Sequence, residues 1–325
     1  MPELMQELIP KLIFAPLQWP LGPAFAAIWI FLLGATGFVY AAYRPPLTGR
    51  AIELRDRVQT WWLIIAIVTA AFAAGATAFI LLVAALSFLA FRELHSVVPV
   101  RPADRVILAL AYLAIPVQYY FVWTQWYGMF SISVPVYAFT LLTAATVLVG
   151  ETRGFIRSNA TLHWALLLTV YNISHLAFLI VLPLAHSVPA GGLGLLLFVL
   201  AVVQFNDVAQ FIWGRLLGRR RIVPSVSPGK TWEGFIGGAA TSMLLAVLLA
   251  PQLTPFSPLA AALIGLALSV CGFLGDVTLS AVKRDLGLKD TGKALRGHGG
   301  ILDRVDSLTL AAPIGFHIIR YFYGA

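Results

Sequence analysis

Residues 259–285 read LAAALIGLALSVCGFLGDVTLSAVKRD, an uncharged apolar run that meets Asp276 and then gathers Ser280, Lys283, Arg284 and Asp285. A run of this length crosses the hydrocarbon core of a bilayer as a helix. Asp276 therefore falls near the membrane boundary, where an ionised carboxylate is costly unless a metal or a cationic side chain compensates it. In helical register Ser280 and Lys283 follow Asp276 at i+4 and i+7 and share its face. That face suits a phosphate or metal-phosphate cluster; a solvated salt-bridge cluster is the plainer alternative.

Outward from this segment, apolar blocks recur at 24–43, 60–74, 76–91, 105–122, 131–149, 162–182, 193–213, 235–249 and 307–323, giving about ten expected transmembrane helices. The 325-residue chain is 60% hydrophobic and only 11% charged, whereas soluble domains carry about a quarter charged residues. We expect an all-α, polytopic integral membrane helix bundle, because within lipid each backbone polar group must be satisfied inside its own helix. Gly75 has to make a very tight turn or mark a broken helix. The apolar stretch 12–19, closed by Pro20 and Pro23, reads as an interfacial or re-entrant piece. The N-terminus lacks the basic start of a secretory signal and is expected to be retained.

The net charge of +8 does not point to nucleic acid, since the basic residues lie in connections between apolar blocks and form no continuous face. Arg44 to Arg57, Arg92 to Arg105, Arg153 with Arg157, Arg215 to Lys230 and Lys283 to Arg304 alternate with the uncharged connections 123–128, 183–192 and 251–257. By the positive-inside rule every charged connection is expected in the cytoplasm and both termini outside. The partners this implies are membrane lipids and anionic substrates. The single cysteine, Cys271, lies in an apolar run, which excludes an intramolecular disulfide and reads as packing. We expect one membrane domain over 1–325, with most of the chemistry in 200–325.

Asp303 and Asp306 stand one helical step apart and are expected to project together from the start of the last span. Carboxylates beside Lys and Arg are what a divalent cation carrying a triphosphate needs. Gly297, Gly299 and Gly300 flank His298, and glycines allow close backbone approach to an anion; His298 reads equally as a pyrophosphate donor or as hydrogen-bonding support. Upstream, Asp207 interrupts an apolar helix beside Asn206 and before Gln210, and an intramembrane Asp faces a protein interior or a hydrated cavity. Ser227-Pro228-Gly229 forms a turn that leaves Lys230 free for phosphate. Thr231 and Glu233 read equally as helix caps and as site residues. Glu93, at the end of a helix, reads first as an ordinary solvated end, with assistance to the site as the alternative.

The ordered pattern Ser280-Ala281-Val282-Lys283-Arg284, Lys289-Asp290 and His298-Gly299-Gly300-Ile301-Leu302-Asp303-Arg304-Val305-Asp306, with Ser227-Pro228 and Lys230-Thr231-Trp232-Glu233-Gly234 upstream, resembles the phosphatidate cytidylyltransferases, or CDP-diacylglycerol synthases. The resemblance implies CTP and phosphatidic acid as substrates, CDP-diacylglycerol and pyrophosphate as products, Mg²⁺ as cofactor with a monovalent cation such as K⁺ as an optional companion, and a bacterial inner-membrane location with the site facing the cytoplasm. It leaves homodimerisation open. Metal positions would fall on Asp276 and Asp303, with Asp207 in the same cavity as a third ligand and Asp306 lining it. Lys283, Arg284, Lys289 and Arg304 become phosphate-binding candidates, and Ser227, Lys230, Thr231, His298, Gly299 and Gly300 complete the nucleotide site. The chain departs from the family at Gln210 and Phe211, where Ala and Tyr are usual, at Leu279, often Glu, and at Gly229, usually Lys. A divergent paralogue with another lipid acceptor fits those departures. A CTP-dependent polyprenol kinase, a membrane transporter and a structural protein are the rival readings.

Overall fold

The computed structural model describes residues 21–42, 49–98, 100–185, 190–292 and 299–325. The stretch 12–19 read above as interfacial lies outside the described residues, as does His298. Ten long helices occur among the described residues: α1 Gly22–Ala42, α2 Gly49–Ala74, α3 Ala76–Val97, α4 Arg105–Trp123, α5 Tyr127–Leu148, α6 Phe155–Val181, α7 Gly191–Leu217, α8 Trp232–Leu253, α9 Pro258–Asp285 and α10 Leu302–Tyr323. Eight of them, α2 to α9, are long and apolar enough to cross a membrane; α1 contributes the shorter apolar stretch Phe25–Ala41, and α10 opens on Asp303, Arg304 and Asp306.

Several helices begin earlier than hydropathy alone indicates. The polar residues 49–59 belong to α2 and not to a loop, and α6 starts at Phe155. Apolar runs mark the part of a helix that lipid or core requires, while the hydrogen-bonded spiral continues into the polar boundary as long as no Pro or Gly stops it. Gly75 separates α2 from α3 at a φ of +94°, a conformation that side chains with a Cβ rarely adopt. Phe72 and Phe79 stack edge to face across it at 4.7 Å. Inside α5 and α6 the spiral widens to π-helical stretches at Ser133–Ala138 and Leu167–Tyr171; Pro135 in the first removes one backbone donor.

One apolar core of buried residues runs from Phe25 to Ile319. Large apolar side chains such as Phe31, Leu81, Leu113, Leu141 and Leu248 point outward and are exposed, an arrangement that lipid accepts and water does not. The protein is a multi-pass membrane bundle.

The connections sort onto two faces. Arg101 donates to the Glu151 carbonyl at 3.2 Å and to that of Arg153, joining the α3–α4 and α5–α6 connections. Arg284, at the end of α9, donates to the Val226 carbonyl in the α7–α8 connection. On the other face Ala185 donates to the Tyr323 carbonyl at 3.0 Å, joining the α6–α7 connection to the C-terminal end of α10. Charged connections thus meet charged ones.

Within the group α7 to α10, polar glue replaces hydrophobic attraction, which vanishes between helices in lipid. Asn206 Oδ1 on α7 accepts from Ser269 Oγ of α9 at 2.7 Å and from Ser242 Oγ of α8 at 3.2 Å, all buried. Gly275 lets α9 come so near α10 that a Cβ there would stand 2.5 Å from the Asp306 carbonyl oxygen. This close approach sets the next residue, Asp276, beside the start of α10.

Candidate active site

The ends of α7, α8, α9 and α10 that carry the charged connections surround one polar cluster. Asp276 Oδ2 pairs with Lys230 Nζ at 2.5 Å, and Asp276 Oδ1 accepts from Ser280 Oγ at 3.3 Å. The expected i+4 neighbour therefore touches it. Lys230 also donates to Gln210 Oε1 at 3.2 Å and lies 5.7 Å from the Phe273 ring centre. Asp207 Oδ2 accepts from Ser307 Oγ at 2.6 Å, while Asp207 Oδ1 is buried with no hydrogen-bond partner among the described residues. Asp306 Oδ1 accepts the Ser307 amide at 2.9 Å, and its side chain lies close enough to Asp276 and Asp207 for their negative charges to act on it. Three carboxylates thus share one neighbourhood, with Lys230, Lys283 and Arg304 as the nearby cations.

The step-of-three pair at the start of α10 does not project together. Asp303 turns back into the α9–α10 connection: Oδ1 accepts from Lys283 Nζ at 2.8 Å, and Oδ2 from the Thr291 amide at 3.0 Å, the Thr291 hydroxyl at 3.1 Å and the Gly300 amide at 2.9 Å. Asp303, in the first turn of α10, is drawn to the amides of Thr291 and Gly300 in the connection that leads into the helix. Asp306, one turn further in, lies beyond these amides and stays with Asp207 and Asp276.

The remaining expected residues divide by what they touch. Thr231 caps α8, its hydroxyl accepting from the Gly234 amide at 3.1 Å. Glu233 accepts from the Arg219 and Arg220 amides at 2.9 and 3.3 Å and ties the α7–α8 connection to α8. Ser227 sits in a turn, its carbonyl accepting from the Lys230 amide at 3.2 Å. Arg284 donates through Nε and Nη1 to the carbonyls of Val226 and Leu288 at 3.2 and 3.1 Å, so two of its five donors go to backbone. Lys289 and Arg304 are exposed. Gly299 takes a φ of +78° directly before the Gly300 amide that donates to Asp303. At the departures, Leu279 is packed in the apolar core at 1% exposure, and a side chain at Gly229 would meet open space.

One residue read as a solvated end belongs to the site's frame. Glu93, on α3, accepts from the Ile301 amide at 2.7 Å, the Leu302 amide at 3.1 Å and the Thr291 hydroxyl at 2.5 Å. Its signal in the sequence was the same as that of Asp276, a carboxylate closing an apolar run. Thr291, buried between Glu93 and Asp303, gave no signal beyond its place next to Lys289-Asp290.

Among the described residues no three His, Cys, Asp or Glu side chains converge as a metal cage. The donor set is of another kind. Mg²⁺ keeps several waters and takes one or two carboxylates together with substrate phosphates, and Asp207 Oδ1, a buried carboxylate oxygen lacking a donor, next to Asp276 and Asp306, fits a cation shared with a substrate. Both oxygens of Asp303 are already engaged by protein donors.

The model of the "Cytidylyltransferase family" matches residues 55–322. The chain belongs to the cytidylyltransferase family. Among relatives of this family member, a protein of Escherichia coli (strain K12) described as "Uncharacterized protein YnbB" is 40% identical over 269 residues, covering 83% of this chain and 88% of that one. The phosphatidate cytidylyltransferase of Haemophilus influenzae is 42% identical over 145 residues, 42% of this chain and 47% of that one. The Synechocystis sp. phosphatidate cytidylyltransferase is 42% identical over 129 residues, 39% and 44% respectively. The chain thus matches just under half the length of these two named enzymes.

Proposed function

We propose that the chain transfers the cytidylyl group of CTP to the phosphate of phosphatidic acid, in a bacterial inner membrane and from the cytoplasmic side. What supports this most is the grouping of Asp207, Asp276 and Asp306 with Lys230 at helix ends next to lipid, in a member of this family. An oxygen of the lipid phosphate attacks the α-phosphorus of CTP, the bond to the β-phosphate oxygen breaks, and pyrophosphate leaves with that electron pair. The nucleophile is already anionic near neutral pH, so the protein needs no strong base. Its work is alignment and charge compensation.

Asp207 and Asp276, with Asp306 beside them, would hold Mg²⁺ together with substrate phosphates, and the ion would supply positive charge to the phosphate oxygens when bound. Lys230, held between Asp276 and Gln210, is the cation inside the cluster that would compensate a phosphate oxygen. The Lys283–Asp303 pair and Glu93 keep the α9–α10 connection in place around the site. Acyl chains stay among the apolar helices while CTP enters from water.

Purified protein reconstituted in lipid vesicles with CTP and phosphatidic acid, with and without Mg²⁺, tests the reading when both products are identified. CDP-diacylglycerol and pyrophosphate in equal amounts are expected. CDP with a newly phosphorylated lipid would instead make the chain a lipid kinase, and absence of CTP consumption would remove the reading.

A further inference from the structure

Helix α7 brings two unpaired polar atoms into the site three residues apart. Among the described residues, Asp207 Oδ1 is an acceptor without a donor, and Gln210 Nε2 is a donor without an acceptor; both are buried. The orientation of the Gln210 amide follows from chemistry. Lys230 Nζ only donates, so the amide atom 3.2 Å from it has to be Oε1. Reversing the amide would set NH₂ against an ammonium, which leaves Nε2 as the free atom.

The place is built for a long amide side chain. Gly238 on α8 faces it, and a Cβ at 238 would overlap Gln210 Cγ. Gln210 is only 4% exposed, so bulk water does not satisfy Nε2, and a buried amide donor left unmade is expensive. Around it stand Lys230, which pairs with Asp276, and Asp207. A ligand filling this spot must present an acceptor oxygen, carry negative charge toward Lys230 and tolerate a cation over Asp207. A phosphoryl group meets all three conditions, because its non-bridging oxygens point in different directions.

We propose that Gln210 is a specificity-determining residue whose Nε2 donates to a non-bridging phosphoryl oxygen of a substrate. The proposal rests on the functional reading above and deepens it. The oxygen belongs either to the lipid phosphate or to the nucleotide, and the experiment separates the two.

The full chain is purified in detergent, and its affinities for phosphatidic acid and for Mg·CTP are measured separately, by ligand-induced thermal stabilisation, for the parent, Gln210→Ala and Gln210→Glu. Gln210→Ala is expected to weaken one ligand about tenfold and leave the other within about twofold; the arm that moves names the owner of the oxygen. Gln210→Glu keeps the side-chain length and an acceptor for Lys230 but replaces the donor with a repelling oxygen, so it should lose more than Gln210→Ala. Restoration of parent affinity by Gln210→Glu, equal loss of both ligands, or no change in either would mark Gln210 as a spacer for Lys230 and overturn the proposal. If Gln210→Ala does not fold, Gln210→Glu alone carries the comparison. These are binding measurements. A chain that binds through Gln210 yet makes no CDP-diacylglycerol loses the functional reading and keeps this inference; a parent that binds neither ligand loses both.

Discussion

The Glu93 carboxylate receives the Ile301 amide at 2.7 Å, across 208 residues of chain. It also takes the Leu302 amide and the Thr291 hydroxyl, so a side chain from α3 caps α10 and clamps the connection that carries Gly299 and Gly300. The first half of the chain thereby supports the second. Glu93→Ala should leave the bundle inserted but loosen this connection. Amide hydrogen exchange at Ile301 and Leu302 should speed up, and turnover should fall roughly tenfold to a hundredfold, the range for misplaced reacting groups. Glu93→Gln keeps an acceptor oxygen and should recover most of both. Unchanged exchange in Glu93→Ala would end this account of the clamp.

Lys283 and Asp303 form a buried ion pair at 2.8 Å, with Asp303 further held by backbone amides. Removing one member leaves the other charged and dry, a change that costs about 3–5 kcal/mol, whereas replacing both with apolar residues is often nearly neutral. Lys283→Met alone should therefore lower the melting temperature more than the double change Lys283→Met with Asp303→Asn, which removes both charges and keeps an acceptor for the Thr291 and Gly300 amides. A double-mutant cycle on thermal unfolding reads the coupling. Equal, additive losses would mean that Lys283 is free for substrate and that the pair is incidental.

The fold was legible because bilayer thickness fixes span length and because charge alternated between connections; both are one-dimensional signals. The 259–285 run announced Asp276, Ser280 and Lys283 as one helical face, and two of the three touch each other. What sequence could not show was how carboxylates choose partners. Spacing makes Asp303 and Asp306 equivalent, but the Thr291 and Gly300 amides of the α9–α10 connection capture one of them. Nor does spacing indicate that Arg284 gives two of its donors to carbonyls, or that Glu93 faces a helix start from another part of the chain. Gln210 was visible as a departure in residue type, yet its unmet donor emerges only once Lys230 fixes the amide.

Asp276 and Asp207 test the proposed metal site directly. Asp276→Asn keeps the size and the Ser280 contact but removes the charge that pairs with Lys230 and would hold a cation. Turnover should drop on the order of a hundredfold or more, comparable with losing a principal electrostatic group, and chelation of divalent ions should silence the parent enzyme. Asp207→Asn should raise the Mg²⁺ concentration needed for half-maximal rate. A parent rate that ignores chelation would remove these carboxylates from metal binding, whatever the substitutions do.

Arg284 and Lys230 offer the last contrast. Both are basic, both lie at the charged face, and the motif alone would give each a phosphate. In the structure Arg284 is exposed and holds the Val226 and Leu288 carbonyls, whereas Lys230 reaches Asp276 and Gln210 inside the cluster. Lys230→Ala should therefore cut kcat/KM on the order of a hundredfold, because a cation is lost where charge develops. Arg284→Ala should cost less than about tenfold and act through the α7–α8 connection, whose backbone should become easier to cleave by limited proteolysis near Val226, since each lost hydrogen bond is worth only about 1 kcal/mol net. A deeper loss for Arg284→Ala, with proteolysis unchanged, would instead make the guanidinium a substrate contact that reaches the site only when the triphosphate is bound.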